Sequence, residues 1–201
     1  MNAPAAATQD KDGRIPPRAR ILAAAADLFY RHGIRAVGVE AIAETAGTNK
    51  MTLYRHFASK DELVAEYLRQ SANATDACWE RFSRAHPGDP LAQLCAWLEE
   101  MAFHLAEPDE RGCALANAAI ELPEKNHPAR RVIEEYKRAQ RTRLVRLSEE
   151  AGLSDPEMLA DELHLLLEGA RVTAQSVGTE GLAARLLHMG KAMIAAHTPR
   201  R

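Results

Sequence analysis

The sequence predicts an all-α protein. Apolar residues recur at spacings of three and four along most of its 201 residues, and no strand-like alternation or internal repeat stands out after residue 60. Residues that start and stop helices recur at the ends of these periodic stretches, and a hydrophobic content of 46% is enough to bury a sizeable core.

The first predicted helix runs from Arg18 to His32, with Ile21, Ala25, Leu28 and Phe29 on one side and Gly33 at the C-cap. A second places Val39, Ile42, Ala43 and Ala46 on one stripe and stops at Gly47, which tolerates positive φ. The chain must turn sharply there. A short third helix follows Asn49, whose side chain suits the N-cap, and turns Leu53 and Phe57 inward. Ser59 to Glu62 reads as a capping box for a long helix reaching about Ala85, broken by His86 to Pro90. The next runs from Pro90, capped by Asp89, to about Ala106, and a shorter one spans Gly112 to Leu122 ahead of Pro123. Another long helix covers about Pro128 to Ala151 and ends at Gly152. A second capping box, Ser154 to Glu157, opens a helix to about Val177, and after a turn at Gly178 to Gly181 the last helix spans Leu182 to Ala196.

The segment from Val39 to Phe57 therefore reads as helix, tight turn, helix, and it leaves Lys50, Met51, Tyr54 and Arg55 on the outer face of the short third helix. Such a helix suits a DNA major groove, because phosphates attract its cations and base edges exchange hydrogen bonds with its polar side chains. An ordinary helical hairpin with a solvated face has the same local pattern. The flanking amphipathic helix, the capping box and Lys60 near a helix start favour the DNA-binding reading.

Helix, Gly33, helix, Ala46-Gly47, turn, then Leu53-Tyr54, His56-Phe57 and Ser59-Lys60 resemble the N-terminal domain of the tetracycline-repressor (TetR) family over about residues 17 to 65. The resemblance implies a helix-turn-helix DNA-binding domain and a C-terminal helical domain for ligand binding and dimerisation. The expected division is a disordered leader over 1–13, the DNA-binding domain over 14–64 and the effector-binding and dimerisation domain over 65–201. Carried over residue by residue, Thr48, Lys50, Met51, Thr52 and Arg55 face bases or nearby phosphates, while Tyr54, His56 and Lys60 hold the DNA backbone. Lys50 and Arg55 are the candidates for base reading. One departure stands out: the family usually opens its second helix with Ser or Thr, whereas this chain has Val37, Gly38 and Val39, so a hydroxyl contact to phosphate is missing.

Charge supports this polarity. The chain has a formal net charge of −2, yet residues 1–60 carry 9 Lys and Arg against 5 Asp and Glu, and the rest carry 17 against 23. A basic end on an acidic body orients a protein toward DNA. Cys78, Cys95 and Cys113 are too few and scattered for a disulfide framework or a zinc site, so reduced thiols in the cytoplasm are expected. The Ala-rich start lacks the apolar core of a secretion signal, and no stretch reads as a membrane span.

The last two helices carry faces rich in Leu and small residues: Leu159, Leu163, Leu166, Ala170 and Ala174, then Leu182, Leu186, Met189 and Met193. The resemblance implies a homodimer through these helices, and a two-fold pair of reading heads implies a palindromic double-stranded DNA operator. Packing within one chain would give the same pattern. For a small-molecule effector, the helix from Pro90 offers Trp97, Met101 and His104 beside a core stripe of Leu91, Leu94 and Leu98. Cys113, Asn117 and Glu121, then Tyr136 and Gln140, repeat a spacing of four. Together they would line a mostly apolar cavity with a few polar groups. Trp97 and Met101 equally fit a plain core.

The sequence has no Gly-rich phosphate loop, nucleophile elbow or HExxH, so no enzyme, cofactor or metal is implied; His104, Cys113 and His127 lack the spacing of a zinc site. Two alternatives to a ligand-released repressor remain. One is a dimeric helical ligand-binding or interaction protein, and the other is a redox regulator acting through Cys113, whose thiolate Arg111 and a nearby helix start would favour.

Overall fold

The computed structural model describes residues 15–107 and 111–199; the expected leader lies outside them. Among the described residues there are nine helices: α1 (Pro17–His32), α2 (Val39–Thr45), α3 (Lys50–His56), α4 (Lys60–Ala85), α5 (Pro90–Ala106), α6 (Ala114–Glu121), α7 (Pro128–Glu150), α8 (Pro156–Val177) and α9 (Leu182–Ala196). No helix among them is long and apolar enough to cross a membrane.

The chain divides into two compact units that do not follow its order. Among the described residues, 15–75 join 113–135, and 76–107 with 111–112 join 136–199. In the first unit, α1, α2 and α3 close over Ile21, Leu22, Ile42, Leu53 and Phe57, all nearly inaccessible, and the Phe29 and Tyr67 rings meet at 5.7 Å. Gly33 (φ +85) and Gly47 (φ +62) end α1 and α2 in the left-handed region, where a β-carbon would be strained.

In the second unit, α9 packs on α5 and α8. At Gly190 of α9 a Cβ would lie 2.6 Å from Leu98 Cδ2 of α5. Leu94 and Leu98 of the expected core stripe are buried, but Leu91, in the first turn of α5, is 40% exposed. The Trp79 and Trp97 rings lie parallel at 6.0 Å, and Phe82 meets Trp79 edge-on at 5.6 Å.

Two predicted starts differ. Helix α6 begins at Ala114 rather than Gly112, because Gly112 adopts φ +79 and cannot continue a helix. The capping box at Ser154 does not form. Asp155 takes the N-cap in a left-handed conformation with no side-chain cap bond, while the Ser154 N–H and hydroxyl both donate to His197 O, at 2.7 and 2.9 Å. The hydroxyl is drawn to the end of α9 instead of its own helix. At α4 the Ser59 hydroxyl accepts from Glu62 N–H at 3.1 Å, but the Glu62 carboxylate reaches Ala58 N–H, one residue before the cap.

Candidate DNA-reading helix and effector residues

Helix α3 has only seven residues, too few to persist unaided. Three restraints set it in place. Asn49 Oδ1 accepts from Thr52 N–H at 2.9 Å, satisfying one of the free donors of the first turn. Thr48 N–H donates to Ala43 O at 2.9 Å across the Gly47 turn, fixing where α3 begins. Leu53 and Phe57 are buried, and the Arg18 guanidinium stands 5.0 Å over the Phe57 ring. With the inner face fixed, Met51 is left 74% exposed and Tyr54 41% exposed. Lys50, Arg55 and His56 are also exposed, while Thr48 and Thr52 are half-buried. Gly38 is the N-cap of α2 and provides no side-chain bond there.

The cations on this unit differ in their engagement. Lys50 Nζ lies 2.6 Å from Glu40 Oε1, joining α3 to α2. That hydrogen bond holds the Glu40 carboxyl below its ordinary range and raises Lys50 above its own. Lys60, assigned by resemblance to the DNA backbone, turns inward: its ammonium donates to Ile34 O at 2.7 Å and lies 5.9 Å from the Phe29 ring centroid. Burial pulls its pKa down, outweighing the opposite pull of Asp61 and Glu121. A phosphate contact from Lys60 would have to extend or replace the bond to Ile34.

Glu121, expected in an effector cavity, serves the same unit. Its Oε2 accepts from Arg35 N–H at 3.1 Å, and a Cβ on Gly33 would lie 3.0 Å from it. The Arg35 guanidinium pairs with Glu124 at 3.1 Å, and His127 Nε2 faces Asp61 at 3.4 Å. Ile34, Arg35, Lys60, Asp61, Leu122, Glu124, Asn126, His127 and Pro128 line a cleft of about 410 Å³. Cys113 is buried at the N-cap of α6, and Asn117 is half-buried in the same unit.

The other effector candidates fall in the second unit. Gln140 is 7% exposed; its Oε1 accepts from Trp79 Nε1–H at 2.8 Å, and among the described residues its Nε2 has no hydrogen-bond partner. Trp79 lies against Trp97 on one side, and the Arg143 guanidinium, paired with Asp76 at 3.0 Å, stands 5.3 Å from its ring. Met101 Sδ accepts from Arg171 at 3.6 Å. Arg171 and Lys137 each pair with Glu168 at 2.9 Å. Burial opposes ionisation of Glu168, yet the two cations hold its carboxyl below the ordinary range. Tyr136 is half-buried on α7. His104 is bracketed by Glu107 at 2.7 Å and Glu100 at 3.4 Å.

The family model for bacterial regulatory proteins of the tetR family matches residues 21–67, from α1 into α4. The HTH-type transcriptional repressor KstR2 of Rhodococcus jostii is 46% identical over 66 residues, 33% of this chain and 31% of that protein. The HTH-type transcriptional regulator UidR of Escherichia coli is 36% identical over 89 residues, 44% of this chain and 45% of that protein. The chain thus spans about a third to a half of the length of these curated relatives. Solved structures extend the likeness. A TetR-family transcriptional regulator from Streptomyces coelicolor matches with a TM-score of 0.85 at 28% identity, covering 91% of this chain and 96% of the other. A TetR-type regulator from Streptomyces avermitilis matches with a TM-score of 0.77 at 32% identity, covering 90% and 98%. The chain belongs to the TetR family.

As a TetR-family chain it carries two features that sequence reasoning passed over. Glu40, the partner of Lys50, had no signal beyond an acidic residue in the first turn of α2. Trp79 did have one: it is one of two tryptophans, and it stands three residues before Phe82 on a helical face.

Proposed function

We propose that this TetR-family protein is a sequence-specific transcriptional regulator, a homodimeric repressor released from a palindromic operator by a small hydrophobic or amphipathic molecule. The observation that carries the proposal is α3: its inner face is fixed by Leu53, Phe57 and the Asn49 cap, and Lys50, Met51, Tyr54, Arg55 and His56 face solvent. A rigid short helix with cations and a phenol outward is what base and phosphate contacts require. Lys50 and Arg55 serve as base readers, and Thr48, Met51, Thr52, Tyr54, His56 and Lys60 support them. Acting on DNA places the protein in the cytoplasm, and binding and release need no catalysis.

Dimerisation is supported by α8. The stripe Leu159, Leu163 and Ala170 is buried within the chain, whereas Met158, Leu165 and Val172, seven residues apart, are 51%, 71% and 60% exposed. Gly169 lies among them, and beyond its own helix backbone no atom of the described residues comes within 4 Å of where a Cβ would stand. Glycine inside a helix costs about 1 kcal/mol relative to alanine, and close approach of a second α8 gives it a use. The effector reading is supported by the buried Gln140 amide, whose Nε2 has no hydrogen-bond partner among the described residues and whose Oε1 is held by Trp79, itself stacked on Trp97.

Selection from a random duplex pool at two salt concentrations tests the proposal. A palindrome retained at the higher salt, with half-sites about one helical turn apart, supports it. Recovery of unpatterned DNA alone, lost as salt rises, refutes it. A true effector must then weaken operator binding by the factor by which operator weakens effector binding.

A further inference from the structure

We propose that Glu40 sets the stringency of DNA reading by holding Lys50, so that the two residues act as one specificity element. The proposal rests on the assignment of α3 as the reading helix. Glu40 Oε1 and Lys50 Nζ are 2.6 Å apart and join α2 to α3, ten residues away in sequence. Both side chains are more than half exposed, and exposed ion pairs add little to the stability of a fold. A carboxylate on a surface that must approach phosphates also weakens attraction to every DNA sequence alike.

Its value lies in what it does to Lys50. An untethered lysine is a mobile point charge that satisfies itself on any phosphate. Held by Glu40, the ammonium has one of its three donors engaged and its charge offset, so phosphate gains less from it. The remaining donors suit the O6 and N7 acceptors of guanine, and the free carboxylate oxygen accepts from the amino group of cytosine or adenine. Glu40 Oε2 lies 3.6 Å from where a Cβ on Gly38 would stand, so the carboxylate leans back along α2, over a residue without a side chain. Met51, Tyr54 and Arg55 are the neighbouring exposed groups of α3. On this view Glu40 lowers affinity for random DNA and widens the gap between the operator and everything else.

The test uses the full-length protein with Glu40→Gln, Lys50→Ala and both changes together. Binding to the selected palindrome and to random duplex is measured over a range of salt, and melting temperature serves as a folding control. Glu40→Gln should tighten random-duplex binding by about threefold to tenfold and steepen its salt dependence by about one unit per reading head. It should lower the ratio of specific to random affinity about tenfold, relaxing the same base pair that Lys50→Ala relaxes. In the Lys50→Ala background the change in the ratio should vanish, and the tightening on random duplex should shrink to the part due to the carboxylate's own repulsion of phosphate. An unchanged ratio and slope, or a ratio change of the same size without Lys50, would overturn the proposal. If the wild type selects no palindrome, the assignment of function fails by itself, and the random-duplex arm still decides whether Glu40 restrains Lys50.

Discussion

Gly190→Ala offers a stringent check on the packing of α5 against α9. The new methyl carbon would lie 2.6 Å and 2.7 Å from the two terminal carbons of Leu98, about 0.9 Å inside an optimal carbon contact of about 3.5 Å. Leu98 is 1% exposed, so it has no route to solvent. Alanine is favoured over glycine in a helix by about 1 kcal/mol, and overpacking of a filled core costs about 1–3 kcal/mol. The balance is a loss of about 0–2 kcal/mol, centred near 1. The sign should reverse once the obstacle is removed. Leu98→Ala alone costs about 2–5 kcal/mol and leaves a void; in that background Gly190→Ala fills part of it and gains about 1 kcal/mol. Urea denaturation of the four proteins at one fixed protomer concentration gives the coupling, expected at about 2 kcal/mol. If Gly190→Ala instead stabilises the wild type by the full helix-propensity gain, Leu98 yields freely and the close approach sets no limit.

Other outcomes follow from particular contacts. Asn49→Ala should cost about 1 kcal/mol by leaving Thr52 N–H uncapped and weaken operator binding, with Asn49→Ser restoring most of both; equal affinity in all three proteins would show that α3 needs no cap. Leu165→Glu should raise the dimer dissociation constant by about a hundredfold or more in sedimentation, because a dimer interface there would bury the new charge unpaired; an intact dimer would remove this face from the interface. For pH, burial holds His164 below its ordinary value of 6.5, and Lys137 and Arg171 push it the same way. The unfolded chain then takes up its proton first, so this contribution to stability is present above that value and is lost as pH falls through and below it. His164→Gln should therefore show a shallower decline in urea midpoint between about pH 7.5 and 5.5, and an identical decline would refute the assignment.

Features set by a few neighbouring residues could be read directly from the sequence. Asn49 and Asp89 cap the helices they precede, and Gly33 and Gly47 end theirs, because each bond or backbone angle involved lies within a turn of the chain. The outward placement of Met51 and Tyr54 also follows once Leu53 and Phe57 are known to face inward. Contacts across elements could not be read in this way. The Trp79–Gln140 bond joins residues 61 apart, and the Lys50–Glu40 pair depends on the angle between α2 and α3, which periodicity does not encode. Glu121 shares its spacing with Cys113 and Asn117, but helical spacing does not say which helix a face meets; here it serves Arg35 and the end of α1. On α8 two apolar stripes lie side by side, and only packing reveals that Leu159 and Leu163 turn inward while Met158 and Leu165 remain outside.

The division of labour within α3 bears on how such a protein can change over generations. Leu53 and Phe57 answer for the architecture of the head, while Met51 and Arg55 stand clear of its core. A single exchange at an outer position leaves the apolar interior as it was, and surface substitutions away from special features usually shift stability by less than about 0.5 kcal/mol. On the role proposed for α3, a duplicated copy can therefore drift toward a different operator one side chain at a time, with each intermediate still folded. Lys50 is the exception, since its partner Glu40 sits on another helix, and a lineage that alters one of the two is left with a charge that favours altering the other.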